Sequence, residues 1–239
     1  FKKYLNFQEK ESLIKDQIIN LNSRSTINAS IDDKYNLKKI NIKSNLNIDN
    51  LSINYKSKLI KKYLSIYENK IDIKNPKILF EYSNDKINLQ VDGKYLLKDK
   101  EDNFFIKFKA NKKNFEFYSL LDLDNSSLKI DEIQFSKNKN VSAKLEILAN
   151  NFNNGLVIEK IDFTETKNFI SLKNLLLSDD LKILSVNSVD VNFVNDNGIK
   201  NNFNITKNSN KYTLAGKHID GEKIIEKILE IKNQNILSS

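Results

Sequence analysis

The chain has 239 residues, 39% of them hydrophobic and 29% charged, and 39 Lys+Arg against 31 Asp+Glu leave a net charge of +8. It contains no Cys, which excludes disulfides, thiolate catalysis and zinc–thiolate sites. Arg24 is the only Arg, and bidentate recognition of phosphates and base edges favours Arg. A nucleic-acid partner is therefore not expected, and a surface of anionic lipid is the better match for a functional Lys-rich charge.

No run approaches the roughly 18 apolar residues that a membrane-crossing helix needs. The chain begins at Phe1 and has no Met. We read residues 1–239 as a single β-groove segment of a longer chain, with any signal or anchor upstream.

In chain order, residues 8–19 come first, with Ile14 and Ile18 one helical turn apart. Alternation of apolar and polar residues then takes over, the mark of strands with one buried and one wet face. Ile40, Ile42, Leu46 and Ile48 share a face, with Ser44 the polar exception, and Leu51, Ile53 and Tyr55 follow. Residues 57–68 read as a helix with Leu59, Tyr63, Leu64 and Tyr67 on one side. Ile78, Phe80 and Tyr82 then face Ile87, Leu89 and Val91 across a turn at Ser83-Asn84-Asp85. Phe115, Phe117, Leu121 and Leu123 form one face, and Val141, Ala143, Leu145 and Ile147 another. Leu156, Ile158, Ile161 and Phe163 continue with a break in register between Ile158 and Ile161. Val189, Val191 and Phe193 precede Phe203 and Ile205, and Tyr212 and Leu214 close the series.

Four of the five Gly residues follow Asn or Asp, at Asp92-Gly93, Asn154-Gly155, Asn197-Gly198 and Asp220-Gly221, and such pairs favour tight turns. The only Pro, Pro76, is expected just before a strand. Asp220 is placed to N-cap a helix over residues 221–231, with Ile224, Ile225, Ile228 and Leu229 on one face. Some fifteen strands with no intervening helices of similar length exclude βαβ architecture. The expected fold is mainly β: an elongated, curled antiparallel sheet with a few short amphipathic helices at its edges or ends.

Catalytic patterns are missing, and no enzyme activity, metal or cofactor is expected. His218 is the only His and has no nucleophile elbow beside it. There is no Gly-rich phosphate loop. The carboxylate pairs Asp32-Asp33, Asp122/Asp124, Asp131-Glu132 and Asp179-Asp180 read as solvated turns or the polar side of a strand rather than glycosidase pairs. Phe104, Phe105, Phe108, Phe115, Phe117 and Tyr118, interleaved with Lys107, Lys109, Lys112 and Lys113, alternate as core and outer face rather than as a stacking platform.

The stretch Tyr212-Thr213-Leu214-Ala215-Gly216-Lys217-His218-Ile219-Asp220-Gly221, followed by Ile224-Ile225 and Ile228-Leu229, resembles the strand–Gly–Asp–helix unit of the AsmA-like family, including its YhdP and TamB branches. These are bacterial envelope relatives of the bridge-like lipid-transfer proteins. The amphipathic strands, polar Asn/Asp turns and lack of Cys resemble the same family over most of the chain. The resemblance implies a β-taco groove in the periplasm that takes phospholipid acyl chains between inner and outer membrane. It also implies an inner-membrane anchor outside this segment and further envelope protein partners. Residues expected to line such a groove are Phe80, Leu89, Phe117, Leu145, Ile158 and Val191. The competing reading is a structural or adhesive β domain with a self-packed core and no lipid. An outer-membrane barrel fits less well, because lipid-facing girdles use Trp and this chain has none.

Overall fold

The computed structural model describes residues 19–152, 155–178, 183–209 and 211–222. Fifteen strands form in chain order: β1 (Leu21–Ile31), β2 (Leu37–Ile48), β3 (Asn50–Asn54), β4 (Lys70–Ser83), β5 (Lys86–Leu96), β6 (Glu101–Ala110), β7 (Phe115–Asp122), β8 (Leu128–Ile130), β9 (Phe135–Lys137), β10 (Ala143–Phe152), β11 (Gly155–Glu165), β12 (Asn168–Leu177), β13 (Ile183–Val194), β14 (Lys200–Asn208) and β15 (Lys211–His218). One helix, α1 (Lys58–Tyr63), lies between β3 and β4. Thirteen strands make one antiparallel sheet in the order β1-β2-β4-β5-β6-β7-β10-β11-β12-β13-β14-β15, with β3 also paired to β4; β8 and β9 form a separate hairpin. The sheet does not close, so β1 and β15 are edges.

Simple hairpin turns produce this meander, because antiparallel neighbours need only short connections. Asn84 and Asp85 both take positive φ, at 47° and 64°, the conformation a two-residue hairpin between right-twisted strands requires. The hairpin then sets the pairs Tyr82↔Ile87, Phe80↔Leu89 and Ile78↔Val91. The Asn197-Gly198 turn also forms, with the Gly198 N–H donating to the Asn195 carbonyl at 2.9 Å.

Several expectations are corrected. Asp92-Gly93 is not a turn but lies inside β5, and Pro76 lies inside β4 rather than ahead of it. The two corrections have one cause. Asn75 takes φ 48° and the β4–β5 register shifts between Lys74 and Lys77, so Pro76 occupies a bulge that does not need its missing N–H. That bulge pushes backbone toward β5. A Cβ on Gly93 would lie 3.1 Å from the Pro76 Cα. β1 and β12 escaped the alternation pattern. β1 is exposed along its whole length, and Ser23 and Ser25 interrupt the apolar series Leu21, Ile27, Ala29 and Ile31; in β12 a positive φ at Asn174 interrupts the period-two pattern. The break between Ile158 and Ile161 is a bulge, where the β10–β11 register shifts at Leu148/Ala149.

The helix expected over 57–68 is only six residues long. Ser57 caps it by accepting from the Ile60 N–H, and Leu64 closes it. Because the chain leaves the helix so early, Ile60, Leu64 and Tyr67 pack inward while Leu59 is exposed, rather than all lying along one helical side. The helix expected over 8–19 lies outside the described residues except for Ile19, and nearly all of 221–231 lies outside them too. The described start of the latter fits a cap: the Asp220 carboxylate accepts from the Glu222 N–H at 3.3 Å.

Gly216 is fixed by close approach. It pairs with Phe203 where the β14–β15 register shifts, and a Cβ there would sit 2.6 Å from both the Asn202 carbonyl oxygen and the Phe203 Cβ. Gly216→Ala should therefore lower unfolding stability by about 1–3 kcal/mol, the usual range for overpacking, read as a reduced midpoint in urea.

Candidate functional site

Cross-strand register places the apolar residues in rows on one face of the sheet. One row runs Phe80↔Leu89↔Phe108↔Phe117↔Ala149↔Ile158↔Leu175↔Val186 across eight strands. A second runs Phe104↔Leu121↔Leu145↔Phe163↔Ile170↔Val191↔Phe203. Between them lie Val91, Ile106, Ser119, Ile147, Ile161, Leu172, Val189 and Ile205. All six residues expected to line a groove fall on this face. Phe80, Leu89, Phe117 and Ile158 share the first row, whereas Leu145 and Val191 share the second.

The two rows have different surroundings. Two inserts fold over the second. Residues 55–69, carrying α1, contribute Ile60, Leu64, Ile66 and Tyr67; residues 124–142, carrying β8 and β9, contribute Leu128, Ile130, Ile133 and Phe135. Phe135 is 1% exposed and meets Phe163 and Phe193 edge-on, with ring centroids 5.6 and 5.3 Å away. Such T-shaped contacts favour the ring quadrupoles. Leu145 and Val191 belong to this packed cluster; Phe80, Leu89, Phe117 and Ile158 do not. The first row is half-buried rather than exposed, with Ala149 and Leu175 at 6% and 8%, and among the described residues β8–β9 is the only sheet besides the large one.

Polar contacts fasten the inserts together and to the sheet, forming a continuous wall. Lys62 pairs with Glu132, and the Ser65 and Ser127 hydroxyls lie 3.3 Å apart. At the far end, the Asp196 N–H donates to the Gln134 carbonyl at 2.8 Å and the Ser136 hydroxyl donates to Asp196 at 2.8 Å. The buried Asp102 carboxylate accepts from the Asn125 N–H at 3.0 Å and the Ser126 hydroxyl at 3.2 Å. Lys137, 1% exposed, donates to the carbonyls of Asp124, Ser126 and Asn138 at 3.3, 2.8 and 3.0 Å. Burial pushes its ammonium pKa down, opposed by the fields of Glu165, Asp102 and Asp124. With all three donors used, Lys137 ties the loop rather than reaching toward a substrate. Nothing in the apolar strand pattern marks this wall; Phe135 and Lys137 sit in a short, irregular stretch with no periodicity.

The opposite face is polar, with ion pairs such as Lys160 to Glu146 and Asp162 at 2.8 and 3.0 Å. It carries a smaller apolar group around Phe105 and Tyr118. Two clefts lie at the margins of the sheet, the second partly lined by Ile87, Ala110 and Phe115 of the apolar face. One, of about 450 Å³, adjoins His218, Lys200 and Lys217 at an edge; the other, of about 380 Å³, adjoins Lys86, Lys109 and Asn111 at the turns. Neither brings a nucleophile, base and acid together. Asp122 and Asp124 are drawn into structural bonds, accepting from the Asn103 amide and the Ala143 N–H. No group of three His, Asp or Glu side chains could hold a metal ion among the described residues. No family model, curated protein or solved structure matches this chain.

Two outcomes follow. Phe135→Ala removes the ring that seals the wall and should cost about 3–5 kcal/mol of unfolding stability, measured by denaturant titration. Glu101 accepts from Lys74 and Lys94, each at 2.9 Å, and those bonds hold its pKa down to about 2. A carboxyl depressed on folding stabilises above its ordinary pKa near 4.5 and loses that contribution as pH falls toward 2. Glu101→Gln should therefore flatten part of the acid limb of stability between those pH values, an effect weakened by added salt.

Proposed function

We propose that this segment binds phospholipid acyl chains along the first row of its apolar face and conducts them as part of a longer periplasmic protein. The supporting observation is the row from Phe80 to Val186, which is continuous across eight strands and separate from the cluster packed under the wall. Moving acyl chains from water onto such a row gains about 0.8 kcal/mol per buried CH₂. A uniform apolar strip has no polar group to arrest sliding, so headgroups stay in solvent while chains move. The resemblance to the AsmA-like family supplies the rest of this reading. By that resemblance the proposal includes a position between inner and outer membrane, an inner-membrane anchor outside residues 1–239, envelope protein partners, no nucleic acid and no enzymatic step.

The alternative, a structural or adhesive β domain, draws on a specific observation too. The wall packs the chain's own side chains over the second row, and Ala149 and Leu175 of the first row are buried as well, as in a self-packed core.

Lipid extraction from the purified chain, followed by mass spectrometry, separates the two readings. Stoichiometric phospholipid above a similarly basic β-sandwich control is expected. Its absence from a folded sample would favour the structural domain. The double change Leu89→Thr with Phe117→Thr keeps β propensity and should lower bound lipid severalfold with the fold retained. Leu145→Asp serves as the contrast: it puts a charge into the packed cluster and should unfold the domain.

A further inference from the structure

The two ends of the ladder are built differently. β15 carries devices that keep an edge strand from pairing: Lys211, Lys217 and a bulge, with Lys217 the extra residue between the pairs Phe203↔Gly216 and Asn202↔His218. β1 has no Lys and no Pro, and Arg24 is its only charge. Its one register shift, at Ser30/Ile31, leaves the extra residue, Lys38, in β2. All 11 residues of β1 are exposed, with Leu21, Ile27 and Ile31 at 55%, 66% and 59%. Among the described residues, β2 is the only strand paired with it. A chain of net charge +8 repels its own copies over much of its surface, so self-contact is favoured where charge is sparse.

We propose that β1 is a self-association edge: two copies of this chain pair β1 with β1 antiparallel, about a twofold axis at Thr26, and join their sheets into one. This does not rest on the lipid reading. The strand's own sequence argues for a second copy as the occupant. With Thr26 opposite Thr26 of the second copy, Leu21 meets Ile31, Ser23 meets Ala29 and Ser25 meets Ile27, each pair occurring twice by symmetry. These residues share the face of Ile42, Leu46 and Ile48, so the apolar side of one sheet runs into the apolar side of the other. On the polar side Asn22 meets Ser30 and Arg24 meets Asn28, so the strand's single charge never faces its own copy. A slip of one residue would set the apolar positions against polar ones. The twofold contact also closes at two copies, whereas pairing β1 with β15 would be head-to-tail and would put Lys211 and Lys217 at the joint.

The full chain has no Cys, so one introduced thiol reports on this contact alone. Thr26→Cys should give a disulfide-linked dimer under mild oxidation, read on a non-reducing gel, because opposed Cα atoms of an antiparallel pair lie about 4.5–5.5 Å apart, within disulfide reach. Asn22→Cys should not link, since position 22 of one copy faces position 30 of the other, leaving the two thiols roughly 27 Å apart at ~3.4 Å per residue. Asn22→Cys with Ser30→Cys should link again. Sedimentation equilibrium of the unmodified chain should show a concentration-dependent dimer. Ser25→Lys with Ile27→Lys sets Lys against Lys across the joint and should weaken it at least tenfold. Thr213→Lys on β15 should leave it unchanged. All three positions are exposed, so the β-sheet circular dichroism spectrum should be retained in both variants. A folded chain that stays monomeric at every concentration would overturn the proposal. So would linkage through Asn22→Cys alone, which marks parallel pairing, or a dimer lost with Thr213→Lys but not with the two β1 changes.

Discussion

A single antiparallel sheet satisfies its own backbone hydrogen bonds but cannot hide its apolar face. A sandwich solves this with a second sheet about 10 Å away, and a barrel by closing. This chain does neither. Among the described residues the ladder runs from β1 to β15 without a second large sheet, so cover for the apolar side is the constraint to which the rest of the structure answers. The partial answer is the wall. Phe135, held edge-on between Phe163 and Phe193, fixes β8 and β9 over one half of the face, and the Lys62–Glu132 pair brings α1 into the same layer.

Close approaches follow from the same arrangement. The backbone bulges at Asn75-Pro76, and the neighbouring strand meets it at Gly93, where a Cβ would lie a tight 3.1 Å from the Pro76 Cα. The bulge at Glu159-Lys160 puts both side chains on the polar face, where Glu159 bonds to Asn150 and Lys160 to Glu146. That keeps Ile158 and Ile161 together on the apolar side, so the rows stay continuous through a local fault in the ladder. A one-residue slip without such a bulge would have turned every later side chain of the strand to the wrong face.

Charge is arranged around these rows rather than within them. Most ion pairs are exposed and contribute little individually to stability. Their more important effect is to keep the polar face in water, so that the apolar face is the one left wanting cover. The buried charges are a separate matter. Lys137 and Asp102 are both enclosed, and each is satisfied by hydrogen bonds from or to the loop at residues 124–138. They give the wall a defined position at a desolvation cost that apolar residues would not incur.

Period-two alternation was enough to read β2, β4, β5, β7, β10, β11 and β14 from the residues, because a half-buried strand must alternate whatever its neighbours do. It also put Phe80, Leu89, Phe117, Leu145, Ile158 and Val191 on one face, since the short turn at Asn84-Asp85 and its counterparts lock neighbouring strands in register. It could not divide that face. Leu145 and Phe117 look alike along the chain, but one lies under the wall and the other does not. The wall comes from irregular segments whose partners are distant in sequence: Phe135 meets Phe193, and Gln134 meets Asp196. Pro76, Gly93 and Asn174 were opaque for a similar reason, as their backbone conformations answer to an adjacent strand. Local pattern determined the strands and their apolar side; long-range packing alone decided how much of that side the chain would cover for itself.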